Sequence, residues 1–128
     1  MTIWQAFAAA PHPDHGMTAP TFNAIAGAIA DTEAGARVAI ERAVAGRNLP
    51  AWRVDRMIRE ARVRPVLDSG DMPAGYSIHL RTFGDVRRVC VDAPGAPNVY
   101  TTPVDGFLPR HARNAIEDAR DHAKRGAR

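Results

Sequence analysis

The feature that most constrains this chain is a two-residue turn at Gly84-Asp85, which separates the alternating runs Tyr76–Phe83 and Val86–Val91. A Gly-Asp pair between two β-type runs predicts a β-hairpin with a fixed register. The predicted pairs run from Phe83 and Val86 at the turn, through Thr82 and Arg87, Arg81 and Arg88, Leu80 and Val89, and His79 and Cys90, to Ile78 and Val91. One face of this hairpin is apolar, and we expect that face to pack on a core.

The other face of the hairpin is polar and places two arginines opposite each other. It carries Ser77, His79, Arg81, Arg88, Cys90 and Asp92. Like charges that face each other across a ladder are destabilising. Arg81 and Arg88 should therefore be splayed into water, neutralised by a nearby carboxylate, or available to hold an anion.

A third strand is predicted at 98–102, after a five-residue loop at 93–97. If this loop is a simple hairpin connection, Val91 pairs with Val99, and Tyr100 and Thr102 lie on the polar face. A slip of one residue would place Thr101 there in place of Tyr100, because side chains alternate between the two faces of a sheet. Both hydroxyl residues are therefore candidates for the polar face.

Helical spacing predicts helices before and after this sheet. One short helix is expected over 2–10, and apolar residues from Phe22 to Val44 predict one long helix or two, with a break near residue 31. A further helix is expected at 50–62 and a C-terminal helix at 108–125. A short strand is expected at 63–67, and Pro65 would confine it to a sheet edge.

The predicted fold class is α+β, with N-terminal helices, an antiparallel β-meander of three to four strands, and a C-terminal helix. The 128 residues are close to the commonest length for one domain. We expect a single domain, 1–128, with a helical part at 1–62, the sheet at 63–103, and the C-terminal helix at 108–126.

The net charge of +3 comes almost entirely from arginine, since Lys124 is the one lysine among 17 basic residues. Six arginines lie within 47–64, and the acidic residues of that segment are Asp55 and Glu60. Arginine suits phosphate and carboxylate recognition, although a bias of the coding DNA would give the same composition. The candidates for phosphate or partner binding are Arg53, Arg56, Arg81 and Arg88.

The single cysteine, Cys90, excludes an internal disulfide and a thiolate zinc cluster. The sequence has no apolar run of about 18 residues and no basic segment before its short N-terminal apolar stretch. We therefore expect a cytoplasmic protein that does not bind membranes, or a domain carried by another protein.

Metal-free phosphodiester chemistry would require the residue types of the polar sheet face. His79 would act as a base near neutral pH, the two arginines would bind the charge that develops on phosphate, and Tyr100 or Thr101 would position the phosphate. The alternative is that these are merely the solvent-side residues of a half-exposed sheet.

The segment His12-Pro13-Asp14-His15 brings two imidazoles and a carboxylate close together. It is interpreted as a plain surface loop, as a metal site, or as a source of a catalytic histidine for the sheet, with His15 as the candidate. Nothing in the sequence supplies an obvious further ligand, so neither a metal nor a cofactor is predicted.

The order of elements, the segment 43–52 (AVAGRNLPAW), and the pairing of VRRVCVD with VYTTP resemble small ribonuclease toxins of bacterial conflict systems. These are the barnase, EndoU, colicin and RelE-like group, together with bacterial pancreatic-ribonuclease-like toxin domains. The resemblance implies a metal-independent ribonuclease. It places Thr101 or Tyr100 on the catalytic strand, takes an imidazole from His15 or His12, and assigns phosphate binding to Arg81 or Arg88. The chain departs from this pattern at Pro103, in the PHPDHG context of its histidines, and in the extra helix 108–125.

These observations predict a small basic protein that acts on or binds an anionic macromolecule. The first hypothesis is a ribonuclease-like toxin domain that acts on RNA. The alternative is a non-enzymatic phage or mobile-element protein that binds and inhibits a host protein complex. A third hypothesis is a nucleic-acid binder without catalysis, whose affinity would fall steeply with salt.

Overall fold

A computed structural model describes residues 1–9 and 22–126, in which two antiparallel three-stranded sheets and three helices form a mixed α+β fold. Two single-turn 3-10 helices connect some of these elements. The elements are β1 (Thr2–Ala9), β2 (Phe22–Ala30), α1 (Glu33–Ala45), α2 (Ala51–Glu60), β3 (Arg62–Asp68), η1 (Ser69–Asp71), β4 (Ser77–Phe83), β5 (Val86–Ala93), β6 (Ala96–Pro103), η2 (Val104–Gly106) and α3 (Pro109–Gly126).

The predicted N-terminal helices are wrong in part, because strands β1 and β2 open the chain. Strand β1 is the central strand of its sheet, and buried residues face both sides of it. A strand covered on both faces lacks the polar alternation that identifies a half-exposed strand. The predicted break near residue 31 is confirmed, since α1 begins at Glu33 and the Thr32 side chain accepts a hydrogen bond from the Gly35 N–H.

A large bulge in β2 explains why its sequence spacing imitates a helix. Gln5 pairs with Ile29 and Phe7 pairs with Ala24, so five residue steps of β2 lie opposite two of β1. The bulge contains Gly27 at φ 83°, a left-handed conformation that suits glycine. The extra residues interrupt the two-residue period of the strand, and the apolar residues then fall at helix-like intervals.

The Gln5 side chain joins the bulge to the segment that follows β6. Gln5 is fully buried, and its Nε2 donates hydrogen bonds to the carbonyl oxygens of Ile25 at 3.1 Å and Phe107 at 3.0 Å. Its Oε1 atom has no hydrogen-bond partner among the described residues. A buried amide at this place donates to two carbonyl groups of irregular backbone, and buried carbonyl groups need such donors.

The first sheet has the order β2-β1-β3, with β3 at one edge as Pro65 predicts. Helices α1 and α2 cover one face of this sheet. The buried residues of that layer are Ala6, Ala8, Ile25, Ala28, Ile40, Val44 and Ala61. The other face contributes Ile3, Ile29 and Leu67 to a larger core that the second sheet and α3 complete.

The second sheet has the order β4-β5-β6 and confirms the predicted hairpin pair by pair, from Phe83 and Val86 to Ile78 and Val91. Its apolar face packs on the predicted C-terminal helix, α3. The alanines of α3 that enter this core are Ala112, Ala115 and Ala119. Small side chains allow the helix and the sheet to approach closely.

The predicted register of the third strand is wrong by one residue. Val91 pairs with Tyr100, whereas the simple connection predicted pairing with Val99. The connection is a tight turn between Ala93 and Ala96 with a register shift beside it, and Gly95 supplies a positive φ of 76°. The bulge moves Tyr100 to the core face and Thr101 to the polar face.

Candidate functional site

Arg81 on the polar sheet face is neutralised by a carboxylate. Its two terminal nitrogens donate to the two carboxylate oxygens of Asp92, with Nη1 at 2.7 Å from Oδ1. The same Nη1 donates to Asn98 Oδ1 at 2.8 Å, and the Asn98 N–H donates to Asp92 Oδ1 at 2.9 Å. Of the three expected fates of this arginine, neutralisation by a carboxylate is the one observed.

This arrangement changes the acidity of both partners. The hydrogen bonds from Arg81 hold the pKa of Asp92 far below its usual value, and they outweigh the desolvation that would raise it. The pKa of Arg81 is raised, chiefly by its hydrogen bonds to Asp92. The pair therefore remains charged at any pH at which the protein would normally be studied.

Arg88, which pairs with Arg81 across the ladder, has a different environment. Its Nη1 atom is 3.4 Å from Thr101 Oγ1, and no carboxylate among the described residues forms an ion pair with it. Cys90 lies on the same face and is fully buried, and burial raises the pKa of its thiol. Arg88 is thus the cation of this face that keeps donor capacity for a ligand.

His79 lies near a hydroxyl and a carboxylate, but both approach the same ring nitrogen. Its Nε2 atom is 2.8 Å from Ser77 Oγ and 3.4 Å from Asp92 Oδ2. A Ser-His-Asp relay needs the hydroxyl at one imidazole nitrogen and the carboxylate at the other. The described geometry is therefore not a relay, although His79 remains a predicted base.

Tyr100 is separated from His79 by the sheet. Its hydroxyl donates to the His111 carbonyl oxygen at 3.1 Å, and burial raises its pKa. Thr101 instead pairs with Cys90, so its side chain shares a face with His79 and Arg88. The structure brings together four of the predicted site residues, His79, Arg81, Arg88 and Thr101, whereas His12 and His15 lie outside the described residues.

A second candidate site is a groove between α2 and the ends of β1 and β2, with a volume of about 630 Å³. We call it the α2 groove. Strands β1 and β2 form one wall and the α2 segment forms the other. The lining residues are Ala8, Ala9, Phe22, Asn23, Ala24, Ile25, Arg47, Leu49, Trp52, Arg53, Arg56, Met57 and Glu60.

Trp52 and three arginines dominate the helical side of the α2 groove. The Trp52 side chain is 65% exposed. Arg56 forms an exposed i,i+4 pair with Glu60 at 3.3 Å, a type of contact that contributes only about 0.3–0.5 kcal/mol. Arg47 and Arg53 form no ion pair with any described residue. This wall therefore presents available guanidinium groups beside an aromatic ring.

The strand wall of the α2 groove carries a second aromatic residue, Phe22. The guanidinium carbon of Arg62 lies 4.0 Å from the centroid of the Phe22 ring, a cation-π contact. Arg62 itself is exposed. Arg62 does not line the groove, so this contact covers the Phe22 ring without adding a cation to the groove.

Positive charge is concentrated in the segment 47–64, and three of its six arginines, Arg47, Arg53 and Arg56, line the α2 groove. Residues 47–64 contain six arginines and two carboxylates, whereas the rest of the chain contains 11 basic and 12 acidic residues. The excess positive charge of the protein thus belongs to this segment. Local charge of one sign attracts oppositely charged ligands more effectively than the same charge spread over a surface.

The structure separates the predicted phosphate-binding arginines into two groups. Arg53 and Arg56 line the α2 groove, while Arg81 and Arg88 lie on the second sheet. No hydrogen bond or ion pair between described residues links the two groups. Sequence spacing identified Arg53 and Arg56 but missed Trp52 and Phe22. Trp52 could have been recognised as exposed, because it lies outside the set of α2 residues that helical spacing turns toward the core.

Within residues 1–9 and 22–126, no group of three histidine, cysteine, aspartate or glutamate side chains could hold a metal ion. In the same residues, no helix is both long enough and apolar enough to cross a membrane. Comparison of the chain with protein-family models, curated proteins and solved structures finds no match. The resemblance to ribonuclease toxins therefore stays a prediction.

Proposed function

We propose that this protein binds nucleic acid through the α2 groove and does not cleave it. The observation that carries the proposal is the cluster of Arg47, Arg53 and Arg56, which lines the α2 groove beside the largely exposed Trp52. Proteins bind nucleic acid by placing arginine or lysine against phosphates, and many add aromatic side chains against bases. The α2 groove combines both kinds of group in one concave surface.

The polar sheet face supports catalysis less well than the α2 groove supports binding. Its Arg81 is held by Asp92 and Asn98, so binding a phosphate there would require breaking charge-assisted hydrogen bonds. Its His79 presents one nitrogen to both neighbouring polar groups. Arg88 and Thr101 could still contact a phosphate that extends across the protein, as a binding contact that requires no general base.

The distribution of charge favours nucleic acid over an uncharged protein surface as the ligand. The segment 47–64 carries four more arginines than carboxylates, in a chain whose remainder is close to neutral. Each phosphate that an arginine neutralises releases counterions, which strengthens binding at low salt. The proposal therefore predicts a steep dependence of affinity on salt concentration.

The test is fluorescence anisotropy with a labelled RNA of mixed sequence, measured from low to moderate salt. The double variant Arg53→Gln, Arg56→Gln should bind about tenfold more weakly and should reduce the slope of log affinity against log salt by about 1.4. The control Arg110→Gln, Arg120→Gln removes the same charge from exposed positions on α3. It should change both quantities much less.

Three results would overturn this proposal. One is the absence of RNA and DNA binding at low salt, and another is an equal effect of the two double variants. The third is cleavage of total RNA in EDTA, which would instead favour the ribonuclease prediction. Capture of one stoichiometric host protein without any nucleic-acid binding would favour the interaction-protein alternative.

A further inference from the structure

We infer that the α2 groove selects single-stranded nucleic acid, with Trp52 as a platform on which an unpaired base stacks. This inference rests on the proposed function and specifies its ligand. The proposed function needs only charge, whereas this inference needs contact between an aromatic ring and a base. The two can therefore be tested separately.

The exposure of Trp52 is the first reason. Nearly two thirds of the side chain is open to solvent, although α2 lies against strand β1 and helix α1. The inward residues of α2 are Val54, Met57 and Ile58, which pack on the buried layer beneath the helix. Trp52 therefore makes little contribution to folding, while its flat surface remains available at the groove.

The charges around Trp52 are the second reason. Arg53 follows Trp52 directly, and Arg56 lies one turn further along α2, so both guanidinium groups line the same groove as the indole. A base stacked on the indole would keep its phosphates within reach of these arginines. An acidic peptide could satisfy the arginines, but its carboxylate side chains offer no ring to stack on Trp52.

The size of the groove is the third reason. A volume of about 630 Å³ is in the range of pockets that enclose small molecules. A groove of this volume can hold one or a few unpaired bases. The bases of a duplex, in contrast, remain paired and stacked inside the helix. Recognition by stacking on aromatic residues is accordingly a property of single strands, loops and ends.

Phe22 lines the strand wall of the α2 groove, but Arg62 covers its ring, with the guanidinium carbon 4.0 Å from the ring centroid. Arg62 is not among the residues that line the groove. Trp52 is therefore the stacking platform on which this inference rests.

Among residues 1–9 and 22–126, Glu60 is the one carboxylate that lines this groove, and it pairs with Arg56. It competes with phosphate for Arg56 and repels a nearby backbone phosphate. Replacement by Glu60→Gln removes both effects without altering the size of the side chain. We expect this variant to bind a single strand several-fold more tightly than the wild type.

The experiment compares three probes at equal phosphate concentration: a labelled single-stranded 12-mer RNA, the corresponding RNA duplex, and inorganic polyphosphate. The wild type should bind the single strand at least tenfold more tightly than the other two. Trp52→Ala should weaken single-strand binding about tenfold and leave polyphosphate binding unchanged. Trp52→Phe should retain most of the affinity, because the smaller ring still stacks.

Val38→Ala is the matched control, because Val38 is also a large exposed apolar residue, at 68% exposure, but lies on α1 outside the groove. This control should bind all three probes as the wild type does. Circular dichroism and thermal unfolding of each variant establish that the fold is retained.

The outcomes separate the two proposals. No binding of any probe overturns the proposed function and this inference together. Salt-dependent binding of all three probes with no effect of Trp52→Ala supports the proposed function and overturns this inference. A preference for the duplex, or binding only to an acidic protein, also overturns it.

Discussion

The bidentate contact between Arg81 and Asp92 is expected to be one of the strongest polar contacts in the protein. We predict that a double-mutant cycle of Arg81→Ala and Asp92→Ala gives a coupling free energy of about 1.5 kcal/mol at neutral pH. The cycle measures the energy that depends on both side chains being present. It therefore separates their interaction from the other contacts of each residue.

The magnitude follows from the exposure and geometry of the pair. Fully exposed ion pairs contribute about 0.2–1 kcal/mol, and hydrogen bonds to charged groups about 1.5–3 kcal/mol. The Arg81 side chain is 33% exposed and that of Asp92 is 18% exposed, and two parallel hydrogen bonds join them. The expected coupling lies at the boundary between these two ranges.

The two single variants should not be equivalent. Asp92 also accepts the N–H of Asn98 at 2.9 Å, so Asp92→Ala removes a contact that Arg81→Ala leaves in place. We expect Asp92→Ala to lower the free energy of unfolding by about 2 kcal/mol and Arg81→Ala by a smaller amount. The larger loss also includes the cost of leaving the Arg81 guanidinium without its carboxylate.

Urea unfolding followed by circular dichroism measures these differences, with the slope m checked for constancy across the variants. Arg87→Ala is the matched control, because Arg87 is an exposed arginine on the neighbouring strand β5 without an ion-pair partner among the described residues. It should change stability by less than about 0.5 kcal/mol. A coupling energy near zero would refute the argument that this carboxylate neutralises Arg81.

Three further predictions concern pH and local geometry. Hydrogen bonds from Arg81 hold the pKa of Asp92 below the ordinary 3.8. The stability advantage of the wild type over Asp92→Asn, measured by urea titration, should therefore shrink as the pH falls from about 4 to 2. A difference in stability that stays constant over this range would contradict the argument. Gln5→Ala removes the side-chain donor to two buried carbonyl groups and should lower the free energy of unfolding by about 2–4 kcal/mol, measured by thermal unfolding. A loss below about 1 kcal/mol would show that the bulge does not need the amide. Gly75→Ala and Gly95→Ala both place alanine at positive φ, but only Gly75→Ala puts Cβ 2.7 Å from a proline ring. Gly75→Ala should therefore have the lower melting temperature. Equal melting temperatures of the two variants would refute the predicted clash.

The sequence predicts best those elements that local chemistry determines. Gly84-Asp85 fixed the hairpin register because a two-residue turn leaves no freedom to slip. Thr32 marked the start of α1 because its side chain caps the helix. The predicted helix over 2–10 is wrong because the central position of β1 in a sheet depends on partners distant in sequence.

The candidate site was partly predictable for similar reasons. The opposition of the two arginines followed from the hairpin register. The hydrogen bonds of Arg81 to Asp92 on β5 and Asn98 on β6, however, depend on the turn that follows β5. The α2 groove forms between a helix and two strands that were interpreted as helices. The arginine content of 47–64 was visible in the sequence, whereas the opposite wall and Phe22 required the correct topology.

The shallow packing of α2 has a consequence for how the groove would respond to a ligand. None of the residues of α2 is fully buried, in contrast to α1 and α3, each of which buries three. Opening of this helix would expose little core, so its amide hydrogens should exchange with solvent more readily than those of the neighbouring strands. The helical wall of the α2 groove can therefore adjust its position while the strand wall remains fixed. This adjustment suits a ligand of variable sequence more than a ligand of fixed shape.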